Sequence, residues 1–129
     1  MLGCTLSGKT TYSRKNYKNH EFVSLTEINS NRKLEMSLIE EYLKSGKNIV
    51  VDDTNLTRKI RKMHIDLAES FGAKVTGIYM DTPRDVLARR RWIRPDNVDM
   101  IIINKMLKQL EIPDKNEGFD TLHAIKCHN

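Results

Sequence analysis

The sequence predicts a three-layer α/β domain built around a parallel β-sheet. Three observations predict this class. A glycine-rich turn at residues 3–10 leads directly into a helix-compatible run, apolar stretches alternate with amphipathic ones, and a continuous apolar stretch at residues 48–52 ends in acidic side chains. Alternating strands and helices are typical of parallel sheets with right-handed crossovers. We see no internal repeat or linker, so we expect one domain over residues 1–129.

The turn at residues 3–10 carries the first motif. It reads Gly-Cys-Thr-Leu-Ser-Gly-Lys-Thr and fits the phosphate-binding P-loop, Gly-x-x-x-x-Gly-Lys-Thr. This spacing lets successive backbone N–H groups point inward at a phosphate. Lys9 is expected to reach the β- and γ-phosphates of a nucleotide, and the Thr10 hydroxyl to hold Mg²⁺. The motif predicts a P-loop NTPase or kinase fold that uses ATP and Mg²⁺. We assign nucleotide binding to Gly3, Ser7, Gly8, Lys9, Thr10 and Thr11.

The strand before this loop is unusually short. A P-loop follows a strand, and strands average about five residues. Only Met1 and Leu2 precede Gly3. We therefore expect a truncated first strand. Either the recorded start lies inside a longer reading frame, or the sheet lacks most of its central strand.

The other predicted elements follow in alternation. A helix that begins at Asn31 has leucines at helical spacing, Thr57 is a candidate cap for the next helix, and Thr82 is a candidate cap with Pro83 at the first helical position. The predicted strands cover residues 22–25, 48–52, 74–80 and 121–126, and the predicted helices cover residues 9–18, 31–45, 57–71, 83–92 and 98–110.

Composition narrows the class of protein. The chain has 39% hydrophobic and 30% charged residues, which is typical of a soluble globular domain. No apolar run approaches the roughly 18 residues of a membrane helix, and no signal peptide is visible, so we expect no membrane partner. Cys4 and Cys127 lack metal-ligand spacing, which favours a reducing cytoplasm. The oligomeric state stays open.

An arginine-rich segment follows the third predicted strand. Such a run is often a solvated helix face, but a phosphate-transfer enzyme needs arginines near its phosphates. We therefore expect an arginine-rich lid over about residues 84–112. Trp92 in this segment either stacks on a base or packs, and residues 100–110 form core, a lid hinge or a dimer contact. The arginines are Arg84, Arg89, Arg90, Arg91 and Arg94.

The second motif is Asp-Asp-Thr-Asn at residues 52–55, where the second predicted strand ends. The P-loop, these acids and the arginine helix should meet at the carboxyl edge of the sheet, where such folds bind ligands. An acid at this edge can hold Mg²⁺, directly or through water, or can orient the nucleophile. The alternative is a helix-capping turn, because Asp, Thr and Asn all favour caps.

Residues 50–58, which read Val-Val-Asp-Asp-Thr-Asn-Leu-Thr-Arg, resemble the kinase domain of the phage polynucleotide kinases and related small P-loop kinases when taken with the P-loop. The similarity continues in residues 81–83, in Arg90 and Arg94, and in residues 113–120. The resemblance implies transfer of the γ-phosphoryl group of ATP to a hydroxyl, commonly the 5′-hydroxyl of a nucleic acid or nucleotide. It places Asp53 at the strand-end acidic position, as a catalytic and metal-binding residue. It also places Arg94 on the γ-phosphate, with Arg90 one turn earlier facing the same way.

The chain departs from this family where the acceptor should bind. The family usually carries Asp-x-x-Arg after its first full strand, where the matching residues here are Thr26 and Asn29. Threonine is no base at neutral pH, and asparagine carries no charge for a phosphate. Glu27 is a candidate substitute base, or an ordinary first-turn glutamate. Three functions therefore stay open: a kinase of nucleic-acid hydroxyls, a kinase of another hydroxylated small molecule, and a nucleotide-binding protein without catalysis.

Overall fold

The computed structural model describes residues 1–93 and 99–128. The elements within these residues follow the predicted order, and their bounds lie within two residues of the predicted ones. The strands are β1 Glu21–Ser24, β2 Ile49–Asp52, β3 Thr76–Asp81 and β4 Thr121–Lys126, and the helices are α1 Lys9–Asn16, α2 Arg32–Lys44, α3 Arg58–Ser70, α4 Arg84–Ile93 and α5 Met100–Gln109, with a short 3₁₀ helix at Lys115–Glu117.

The strands are parallel, as predicted. β1 pairs with β2 so that Ser24 lies opposite Asp52, and β3 pairs with β4 so that Asp81 lies opposite Lys126. Every described strand pair therefore ends at the same edge, and a helix or turn follows β1, β2 and β3. This α/β arrangement confirms the predicted fold class.

Residues 1–3 join the two strand pairs. The Leu2 amide donates to the Ile78 carbonyl at 2.9 Å, and the Leu2 carbonyl accepts from the Met80 amide at 2.8 Å. On the other side, the Gly3 amide donates to the Thr54 carbonyl at 2.9 Å. The spatial order is thus β1, β2, residues 1–3, β3, β4. The P-loop consequently leaves the middle of the sheet, between the ends of β2 and β3.

The bridge at Leu2 pairs with β3 at one position, opposite Tyr79, instead of along a full strand. Below it, a cavity of about 630 Å³ opens between β2 and β3. Its lining includes the apolar side chains of Ile39, Val50 and Ile65. The first strand is therefore reduced to a short bridge in the described structure, as the sequence predicts.

The last two helices pack on the P-loop. Leu87 of α4 and Ile103 of α5 are fully buried and form a cluster with Cys4. The neighbouring side chains Ile101 and Ile102 are exposed. A helix buries one stripe of its surface, so three successive isoleucines cannot all reach the core.

Of the two predicted helix caps, one is confirmed and one is wrong. The Thr57 side chain accepts the backbone amide of Ile60 at 3.3 Å. The Asn31 side chain, which was not predicted as a cap, accepts the backbone amide of Leu34 at 3.0 Å. Thr82 does not cap α4, because its buried hydroxyl donates instead to the Ser7 carbonyl at 2.9 Å. This bond ties the end of β3 to the P-loop. Among residues 1–93 and 99–128, no helix has both the length and the apolar character to cross a membrane.

Candidate active site

The glycines of the P-loop are required by its shape. Gly8, immediately before α1, has φ of 101°, and Gly3 has φ of 147°, both in the region that L side chains rarely adopt. A Cβ at Gly3 would also lie 2.8 Å from Ser7 Oγ. The loop can therefore close around a small group only with glycine at these positions.

Lys9 lies inside this loop. Its Nζ donates to the carbonyls of Gly3 at 3.0 Å and Cys4 at 2.9 Å, and the residue is 9% exposed. Burial lowers the pKa of the Lys9 ammonium, although the neighbouring Asp52 carboxylate opposes this change. The ammonium is thus a cation that the loop itself holds at its centre.

Thr10 contacts an acid that the sequence analysis did not select. Its hydroxyl donates to Asp52 Oδ2 at 2.6 Å. The resemblance assigned the acidic role to Asp53, one residue later. Successive side chains along a strand point to opposite faces of the sheet, so the two aspartates are expected to have different surroundings. The sequence does not say which of them faces the P-loop, because that depends on the register of β2.

Asp53 lies in a different environment and is 4% exposed. Its carboxylate forms a salt bridge with Arg32 and accepts the Asn55 backbone amide at 3.4 Å. Burial alone would raise the pKa of Asp53, but the neighbouring Glu35 and Arg32 outweigh burial and hold that pKa below its usual value. The carboxylate is therefore ionised and held by protein groups. A metal-binding or catalytic role for Asp53 stays a prediction.

The predicted lid contacts the P-loop through Arg90. Arg90 Nη1 donates to the Leu6 carbonyl at 2.8 Å and would lie 3.5 Å from a Cβ at Gly8. Trp92 is 80% exposed, so the alternative that this side chain packs into the protein is wrong. Arg94, predicted on the γ-phosphate, lies outside the described residues.

The predicted acceptor residues lie in the turn after β1. Asn29 has φ of 56°, and the Glu27 side chain is 65% exposed and pairs with Arg14 of α1 at 3.4 Å. Thr11, predicted to bind nucleotide, is exposed on the first turn of α1. The roles of Glu27 and Thr11 stay predictions.

The residues of the loop fit a triphosphate with a divalent cation. Ser7 Oγ is buried and has no hydrogen-bond partner within the described ranges, so it can donate to a phosphate oxygen. Lys9 supplies a positive charge at the loop centre, and α1 begins at this residue with its partly positive end toward the loop. Thr10 and Asp52 offer the oxygen ligands that Mg²⁺ prefers.

Residues 25–113, more than half of the chain, match the model of a protein family described as an AAA domain. The chain belongs to this AAA domain family. The match begins after β1 and ends beyond α5, so it includes both aspartates and the predicted lid.

The chain is similar to a curated protein whose name includes the word kinase. It is 28% identical over 137 residues to the bifunctional polynucleotide phosphatase/kinase of Schizosaccharomyces pombe, with 98% of this chain and 33% of that protein aligned. The chain thus spans about a third of the length of that curated relative. These findings confirm the predicted resemblance to polynucleotide kinase-like P-loop kinases.

A solved structure supports the fold independently. The crystal structure of a gluconokinase from Sinorhizobium meliloti 1021 matches with a TM-score of 0.63 at 20% identity, covering 97% of this chain and 79% of that one. The P-loop kinase fold is therefore shared.

Proposed function

We propose that this chain transfers the γ-phosphoryl group of ATP to a hydroxyl group, with the 5′-hydroxyl of a nucleic acid or nucleotide as the acceptor. The observation that carries the proposal is the contact between Thr10 of the P-loop and Asp52 at the end of β2, 2.6 Å apart. This pair brings a hydroxyl and a carboxylate to one point beside Lys9. P-loop NTPases hold Mg²⁺ with this combination of groups.

In the proposed reaction, the acceptor oxygen bonds to the γ-phosphorus while the bond from that phosphorus to the β,γ-bridging oxygen breaks. ADP leaves, and the hydroxyl proton passes to a base or to water. Lys9 and the loop amides stabilise the phosphate charge, and Arg90 keeps the lid helix on the loop. Thr10 and Asp52 would hold Mg²⁺, which neutralises charge on the β- and γ-phosphates when bound. We thus favour Asp52 over Asp53 as the metal-binding acid.

Two further predictions belong to this reaction. Arg94 is proposed to stabilise the γ-phosphoryl group in the transition state, so Arg94→Ala should lower kcat more than nucleotide affinity. Glu27 is proposed as the base. Its exposed carboxylate and its partner Arg14 are compatible with a site open to an acceptor.

The nucleic-acid acceptor is supported by the Schizosaccharomyces pombe relative, whose name includes polynucleotide kinase. The exposed Trp92 on the arginine-rich α4 also supports it, because aromatic and cationic side chains bind single strands. A cytoplasmic location, with its supply of ATP, agrees with this proposal.

A second acceptor class is a hydroxylated small molecule. Thr26 and Asn29, in place of an aspartate and an arginine, favour it, since neither can activate a hydroxyl or bind a phosphate as the family pattern does. A third outcome is nucleotide binding without transfer, which these two residues and the short first strand both favour.

The test is transfer of labelled γ-phosphate from ATP, with Mg²⁺, to an oligonucleotide that ends in a 5′-hydroxyl. The matched control is the same oligonucleotide with a 5′-phosphate, together with Lys9→Ala. Label on the hydroxyl form only, absent in the variant, is the expected result. ADP formation that depends on a sugar acid instead would favour the small-molecule acceptor, and nucleotide binding without any ADP would overturn the proposal.

A further inference from the structure

His64 of α3 lies between two oxygen atoms behind the candidate active site. Its Nδ1 is 2.7 Å from Asn55 Oδ1, and its Nε2 is 2.8 Å from Glu35 Oε1. Asn55 follows β2, whereas Glu35 belongs to α2. One imidazole ring therefore links α2 to the turn at residues 53–55, called the Asp-Thr-Asn turn below.

The geometry fixes the proton on Nδ1 of this ring. Asn55 Nδ2 donates to the Met1 carbonyl at 2.8 Å, so its amide cannot be turned round without losing that bond. The atom facing His64 Nδ1 is therefore an acceptor, and Nδ1 donates to it. The second ring nitrogen, Nε2, shares a hydrogen bond with Glu35 Oε1.

Glu35 lies on the other side of the ring. It is 0% exposed, and its Oε1 lies 2.8 Å from both Arg32 Nη1 and His64 Nε2. Its Oε2 has no hydrogen-bond partner in the part of the chain that the structure describes. Because a buried polar group is costly unless it is hydrogen-bonded, the two contacts of Oε1 stabilise this carboxyl group in the interior.

The cluster also has the spacing of a metal site, since ligand atoms of Glu35, Asp53 and His64 lie within 4.8 Å of one another. However, Arg32 Nη1 donates to both carboxylates. The guanidinium thus places a positive charge among these ligand atoms. We therefore interpret the cluster as an internal ion network and not as a second cation site.

We propose that His64 is a positioning residue, which holds the Asp-Thr-Asn turn in the place that Mg²⁺ binding needs. Asn55 has a left-handed backbone with φ of 46°, and its side chain is fixed at one end by His64 and at the other by Met1. The inference rests on the proposed function, because it concerns the metal-binding acid of that site.

The turn reaches the P-loop by two routes. The Asn55 side chain donates to the carbonyl of Met1, which precedes Leu2 and Gly3. The Thr54 carbonyl accepts the Gly3 amide at 2.9 Å. Asp52, whose carboxylate meets Thr10, is the residue immediately before this turn. Loss of the His64 bond to Asn55 would therefore release Asp52 from its position on Thr10.

The first test is ¹⁵N NMR of the histidine rings in the unaltered chain near neutral pH. We expect Nδ1 of His64 to be protonated because it faces Asn55 Oδ1, with a cross-ring coupling pattern distinct from that of the exposed His123 on β4. An unprotonated Nδ1 on His64 would overturn the proposal. So would a shift of its signals on addition of one equivalent of Zn²⁺, because that result would assign the cluster to a metal.

The second test is the Mg²⁺ concentration that half-saturates binding of a fluorescent ATP analogue. His64→Gln should raise it about tenfold, since partners behind a metal ligand typically change metal affinity by 10- to 100-fold. His123→Gln is the matched control and should leave it unchanged. An unchanged Mg²⁺ requirement in folded His64→Gln would overturn the proposal.

The binding readout separates this inference from the proposed reaction. If no phosphoryl group moves to any acceptor but the Mg²⁺ requirement still rises in His64→Gln, the transfer reaction is wrong and the positioning role stands. If His64→Gln does not fold, Glu35→Gln tests the same link: it should raise the Mg²⁺ requirement in the same direction, and an unchanged value contradicts the role.

Discussion

The two aspartates that follow one another at the end of β2 have different surroundings. Asp52 meets Thr10 in the P-loop, where Ser7 Oγ has no protein partner within the described residues and can bind a ligand. Asp53 meets Arg32 in an ion network that also contains the fully buried Glu35. Adjacent residues of the same type thus have different partners, and we propose that Asp52 binds the metal whereas Asp53 stabilises the fold.

This difference shows which side chains remain available to bind a nucleotide. In the P-loop, Lys9 donates to two backbone carbonyls, Thr10 donates to Asp52, and Ser7 Oγ has no protein partner within the described residues, which leaves donors and oxygen ligands for a nucleotide. In the network, Arg32 donates to the carboxyl groups of Glu35 and Asp53, and His64 Nε2 lies 2.8 Å from Glu35 Oε1. The same residue types therefore differ in role because of their partners, and substitutions on the two sides should affect different measurements.

The largest effect is expected for Lys9→Ala. Its ammonium is held at the centre of the loop, so the variant loses the charge that stabilises the transferred phosphoryl group. The kcat for ADP formation should fall on the order of 10²–10³-fold, as for loss of one preorganised donor. Lys15→Ala, an exposed lysine in the last turn of α1, is the control. A kcat within about threefold of wild type for Lys9→Ala would contradict the P-loop assignment.

Asp52→Asn should have the next largest effect, which is weaker binding of Mg²⁺. The variant keeps a group that can contact Thr10 but loses the negative charge that attracts Mg²⁺. The Mg²⁺ concentration for half-maximal ADP formation should rise up to about 100-fold. Denaturation by urea should show little change in the free energy of unfolding. A large loss of stability with an unchanged Mg²⁺ requirement would reverse the two roles.

Asp53→Asn should act on stability instead. It leaves Arg32 with one carboxylate partner and removes a buried charged hydrogen bond, which costs about 1–3 kcal/mol of unfolding free energy. The variant should need the same Mg²⁺ concentration as wild type. Urea denaturation measures the first quantity and nucleotide binding the second.

The salt bridge between Asp53 and Arg32 should also make the free energy of unfolding depend on pH, with a smaller effect. Because the pKa of Asp53 is lowered in the folded protein from an ordinary value of 3.8, its contribution is present above that value. It is lost as the pH falls through the lower folded pKa. Each unit of lowering corresponds to about 1.4 kcal/mol. Urea denaturation below about pH 4 should therefore show a steeper loss in wild type than in Asp53→Asn, and equal slopes would contradict the prediction.

The sequence predicts the P-loop side of this comparison better than the network side. Lys9 and Thr10 are recognisable because their spacing from the glycines is local, and Arg90 because it lies in an arginine-rich helix. The parallel strands are also predictable, since each is a short apolar run between turns.

The network could not be predicted, for a physical reason. Arg32, Glu35, His64 and Asn55 come from three elements, and their contact depends on how α2 and α3 pack beside β2. His64 shares a helical stripe with the apolar residues Ile60 and Leu67, and this spacing gives no information on the groups at either side of its ring. The choice between Asp52 and Asp53 failed to follow from the pattern because it depends on strand register.

The measurement that tests this division most directly is nucleotide binding against Mg²⁺ concentration in Asp52→Asn and Asp53→Asn, prepared and measured together. We predict that Asp52→Asn alone needs more Mg²⁺, while Asp53→Asn follows the wild-type curve although it unfolds at lower urea. If Asp53→Asn needs more Mg²⁺ and Asp52→Asn does not, the metal-binding acid is Asp53 and the assignment of Asp52 is wrong.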